Sequence, residues 1–167
     1  TDDGKIGTKL IYPYIPPTSE WLKYDNGQFM TGIGGVTEMS WGVMFPAETL
    51  ENYTGTELTK VMFYDSNVEQ KPHSGNIEIY FGGTTEPELL VHSQKYEGTG
   101  IGEFVEVELT YPLPVSGEES IWVIQTTTSG DLFPAAMAED CGDPNGRWIS
   151  VDGVWADALV GAGLNGT

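Results

Sequence analysis

"GNIEIYFGG", residues 75–83, decides the fold. Ile77, Ile79 and Phe81 alternate with Asn76, Glu78 and Tyr80, a period of two. Side chains of an extended strand point alternately to opposite faces, so this pattern predicts a strand with one buried face. The same period recurs on either side. "LTKVMFYDS" (58–66) sets Val61 and Phe63 against Met62 and Tyr64, and "EFVEVEL" (103–109) sets Val105, Val107 and Leu109 against Phe104, Glu106 and Glu108. "MSWGVMFP" (39–46) lines up Trp41, Val43 and Phe45, and "ELLVHSQKY" (88–96) is placed to pair with the strand before it. "SIWVIQT" (120–126) is apolar at nearly every position and reads as a strand buried on both faces.

Turn residues separate these runs. Gly82-Gly83, the span from Gly98 to Gly102, and "PLPVSGEE" (112–119) are examples. Strands punctuated by turns, with little helical periodicity, predict an all-β fold, an antiparallel β-sandwich of jelly-roll type. "AETLENY" (47–53) is the one stretch with helix-forming residues, enough for a single short turn of helix. Residues 1–19 hold Pro13, Pro16 and Pro17 and read as an extended entry segment; residues 20–167 read as one sandwich module without internal repeats. The ending "VGAGLNGT" reads as a loop or linker.

Bulk properties bound the partners. Twenty-five acidic and seven basic side chains leave a formal net charge of −18. Such a chain repels phosphate backbones and anionic bilayers, which argues against nucleic-acid binding and membrane-surface binding. No apolar run is long enough to span a bilayer, so no membrane insertion is expected. One cysteine, Cys141, forms no intrachain disulfide, and neither His73 nor His92 is near it in sequence to activate it. The chain opens at Thr1 and reads as a processed chain or a piece of a longer multidomain protein.

"GRWISVDGVW" (146–155) has the form of a hairpin. Asp152-Gly153 is the composition of a two-residue type I′ turn. Of the Trp148 arm and the Trp155 arm, one tryptophan can lie in the core while the other faces out, and the sequence does not say which. Trp41 and Trp122 lie inside apolar strands and read as core.

Several of these stretches, taken in order, resemble a β-sandwich module of secreted Bacteroidota proteins. They are "WLKYDNGQF", "WGVMFPAETL", "TKVMFYDS…NIEIYFGG", "LLVHSQKY…GEFVEVEL", "IWVIQTTTSGDLFPAA" and "CGDPNGRWIS". The module is similar to the cleaved-adhesin and choice-of-anchor type domains, and the likeness spans roughly residues 20–151. The resemblance implies a jelly roll, a place outside the cytoplasm, and a non-catalytic role in adhesion or carbohydrate binding. Such modules usually carry one more hydrophobic strand after the glycine-rich segment, which this sequence lacks.

Three chemistries are open to these residues. Flat indole and phenol rings match the apolar C–H faces of sugars, and Trp21, Tyr24, Trp148 and Trp155 are the candidate carbohydrate-binding residues, with core packing as the other reading for the tryptophans. Asp140, Asp143 and Asn145 in "EDCGDPNG", together with Asp25, supply hard oxygens suited to a structural calcium ion, yet Asp-Pro and Asn-Gly are equally ordinary turn formers. No nucleophile elbow, zinc-protease helix or phosphate loop is present, and carboxylates are too numerous for any pair to signal catalysis. The expected function is therefore a non-catalytic carbohydrate-binding module that docks on polysaccharide. The alternative is an adhesin module that binds a host or surface protein.

Overall fold

The structure, a computed structural model, describes residues 20–35, 38–66, 71–127, 133–139 and 142–161. The expected entry segment at residues 1–19 lies outside the described residues. The described chain is mostly β, and every strand pairing is antiparallel. The strands are β1 (Phe29–Ile33), β2 (Met39–Phe45), β3 (Glu57–Asp65), β4 (Ser74–Phe81), β5 (Leu89–Glu97), β6 (Glu103–Pro114), β7 (Ile121–Thr127), β8 (Ala135–Ala138), β9 (Trp148–Val151) and β10 (Val154–Asp157). A helical turn α1 (Ala47–Leu50) runs into a 3-10 turn at Glu51–Tyr53, where the sequence predicts it.

Six strands form one sheet in the order β10-β9-β2-β7-β4-β5. Two ribbons, β1-β8 and β3-β6, accompany it. β7 sits inside the sheet between β2 and β4, and its apolar sequence follows from that place. Ile121 joins the main core on the inner face, while Trp122 and Ile124 form a separate cluster on the outer face. The main core sets Phe45, Ile77, Ile79 and Tyr96 of the sheet against Val61, Leu109 and Leu113 of the β3-β6 ribbon. A second cluster sets Met39, Trp41 and Ile149 against Ala135 and Ile33 of the β1-β8 ribbon. Each aliphatic side chain removed from water in this way contributes about 1.5–3 kcal/mol before conformational entropy is subtracted.

The structure departs from the sequence reading in three places. β1 and β8 were not foreseen: "FMTGI" and "AAMA" carry a glycine and a run of alanines where β-branched residues would mark strands. β6 continues through Pro112 to Pro114 instead of turning there. Its pairing jumps from Lys60↔Glu108 to Leu58↔Leu113, so residues 109–112 bulge out of register and Pro112 owes the ladder no N–H. Gln94 of β5 serves the bulge, its Nε2 donating to Glu108 O and its Oε1 accepting from Thr110 N, both at 3.0 Å. Finally, Ala158–Gly161 forms a helical turn, α2, where a strand end and linker were expected. Leu159 N donates to Asp157 Oδ1 at 2.9 Å, and the same carboxylate holds Arg147 Nε at 2.9 Å.

Candidate functional site

The β9-β10 hairpin builds the outer-face site. Asp152 and Gly153 have φ of 54° and 78°, both left-handed as a type I′ turn requires. This turn pairs Val151 with Val154 and Ser150 with Trp155. Directly paired residues of an antiparallel ladder share a face, and Ser150 is two residues from Trp148. Trp148 and Trp155 therefore share one face, which corrects the expectation of one tryptophan in and one out. The two-residue turn alone would have revealed this, had its register been followed through.

Both rings pack on Trp122, with centroids 5.0 and 5.7 Å away and planes tilted by 55° and 61°. Trp122 has no exposed surface, and its Nε1 donates to Gly83 O at 3.1 Å. Trp148 and Trp155 remain partly exposed around this fixed ring, as does Tyr80, which pairs with Trp122 from β4. Burial, aided by a 2.8 Å hydrogen bond to Glu78 Oε2, pushes the Tyr80 phenol up to about 12, so it stays a neutral donor at ordinary pH. Beside the aromatic row the register aligns Trp155, Ser150, Ser40, Thr126, Asn76 and Lys95 across the six strands. An apolar ring row next to a line of hydroxyl and amide groups can take a ligand with one apolar and one hydrogen-bonding side.

No family model, curated protein or solved structure matches this chain.

The other aromatic candidates lie apart from this cluster. Trp21 precedes β1 and is 44% exposed. Tyr24 stacks on Phe45 with centroids 5.2 Å apart, and its hydroxyl donates to Met44 O at 3.0 Å, so one face of the ring is committed to the core. Of the four aromatic residues singled out in the sequence, the structure brings together Trp148 and Trp155.

The oxygen-rich loops form local turns. Asp25 Oδ1 accepts from Gly27 N at 2.8 Å, and Asp143 Oδ1 accepts from Asn145 N at 2.9 Å, capping the 3-10 turn Pro144–Gly146. Asp140 lies outside the described residues. Among the described residues no three His, Cys, Asp or Glu side chains are grouped as metal ligands.

A buried polar cluster went unread in the sequence. Asp65 and His73 are both buried, with Oδ1 and Nδ1 2.9 Å apart. Asp65 Oδ2 accepts from Thr99 N at 2.5 Å, Thr99 Oγ1 at 3.2 Å and Gly100 N. A carboxylate so surrounded by donors offsets its own desolvation. Burial lowers the His73 pKa, against the opposing pull of Asp65. The signal was present: Asp65 continues the inward series Val61 and Phe63, and Gln125 continues Ile121 and Val123. A polar residue on an otherwise apolar strand face marks a buried polar site.

Proposed function

We propose that this chain is a non-catalytic carbohydrate-binding module of a secreted or cell-surface protein, a jelly-roll-like sandwich that docks polysaccharide on the outer face of its six-stranded sheet. One observation carries the reading: Trp148 and Trp155 are held side by side on that face by the buried ring of Trp122. A preorganised platform gives up little side-chain entropy on binding. The neighbouring row from Ser40 through Thr126 to Asn76 supplies groups for sugar hydroxyls, and the strong negative charge favours neutral glycans over anionic ones. Tethered to an enzyme, such a module raises the effective concentration of substrate.

Affinity electrophoresis on a panel of plant and bacterial glycans tests the proposal. At least one glycan retards the native chain, and Trp155→Ala abolishes the retardation while near-ultraviolet circular dichroism still reports a folded core. Migration indifferent to every glycan overturns it. A protein-binding adhesin module is the second reading. It is favoured by Leu89 and Leu90 on β5, an outermost strand of the sheet, which are 61% and 47% exposed.

A further inference from the structure

A second candidate site lies on the opposite side of the sheet. Val43 of β2 and Val123 of β7 pair directly on the sheet's two inner strands, where a core side chain should be covered. Their neighbours Ile77 and Ile79 are 1% and 0% exposed, yet both valines remain partly open. The cause is a cleft of about 220 Å³, bordered by the β3-β6 ribbon on one side and the β1-β8 ribbon on the other. Trp41, Tyr24 and Phe63 line it with the two valines, and β8 borders it with alanines where larger residues would close it. An apolar void left unfilled destabilises a core, and cavities of about 150 Å³ already accept benzene in other proteins.

The cleft also has a polar anchor. Gln125 lies on the same floor and is 8% exposed. Its Nε2 is buried beside the Tyr96 hydroxyl, and neither atom meets the full geometry of a hydrogen bond. An amide holds two donors and two acceptor lone pairs, and burying them unpaired is costly. A ligand hydroxyl can accept from that amide N–H. The net charge of −18 disfavours an anion here.

We propose that this cleft binds a small, uncharged apolar molecule bearing one hydroxyl group, with its body over Val43 and Val123 and its hydroxyl on the Gln125 amide. Phenol and toluene are the probes: they share a ring and differ by a hydroxyl in place of a methyl. Methyl ¹³C–¹H spectra of the whole chain read the site directly through Val43 and Val123. Phenol shifts those methyls saturably. Gln125→Met weakens phenol about tenfold and changes toluene by less than about twofold. Val123→Phe, which fills the floor, removes both, and Trp155→Ala alters neither, so this site stands or falls apart from the outer face. If Gln125→Met fails to fold, Gln125→Leu, also without the amide, makes the same comparison. The proposal is overturned if neither probe shifts the valine methyls saturably. Equal phenol affinity with and without the Gln125 amide overturns it too.

Discussion

His73 shows how one side chain ties stability to pH. In the unfolded chain its pKa is near 6.5, and burial lowers it in the folded protein. The unfolded state therefore binds the proton more readily in the window below about 6.5, and stability falls there as pH falls. Above that value the imidazole is neutral in both states and the contribution is complete. Asp65 faces His73 and opposes the shift, while Tyr96 meets the ring edge-on at 5.8 Å and stays protonated because burial raises its pKa. Urea melts of the native chain lose stability between pH 7.5 and 5.5, and His73→Gln loses less over the same range. Identical pH slopes would show that His73 is not the responsible group. At this scale the core tryptophans were readable because their neighbours are apolar. Asp65 was legible as a polar residue on an apolar face, but its pairing with His73 was not, because His73 and the loop at Thr99 and Gly100 meet the end of β3 only once the chain is folded.

At the scale of elements, alternation was enough to place β2, β3, β4 and β6, and a continuous apolar run placed β7, buried on both faces; each runs for at least seven residues. β1 and β8 are too short and too poor in branched residues to show a period; each is a strand because the other pairs with it. The hairpin holds the most specific local instruction. Gly153 takes a left-handed φ of 78° with open space where a Cβ would project, so any penalty for a side chain there is conformational. Gly153→Ala costs about 1 kcal/mol by thermal melting. It also weakens glycan retention more than a substitution elsewhere of equal cost, because the turn sets the register that places Trp155 beside Trp148. Retention that merely tracks stability would detach the platform from the turn. Which face the tryptophans occupy was thus encoded in two residues, whereas the cleft beyond Val43 depends on how the ribbons are spaced, and no local pattern specifies that.

For the whole molecule, a net charge of −18 on 167 residues sets the response to salt. Self-repulsion opposes compaction, and the screening length contracts from about 30 Å at 0.01 M salt to about 8 Å at 0.15 M. The melting temperature therefore rises across that range, while retention on a neutral glycan is nearly unchanged. Binding that collapses with salt would point to a basic protein partner instead. Sheet and ribbon are also fastened by side chains: the Gln94 carbamoyl group bonds the backbone beside the bulge of β6, and the Tyr111 hydroxyl donates to Val91 O at 3.2 Å. The amide proton of Thr110 consequently owes its shelter to a side chain, not to a neighbouring backbone. Removing that side chain should set one isolated proton exchanging with deuterium quickly while the flanking ladder stays slow, a loosened stitch in an otherwise intact seam.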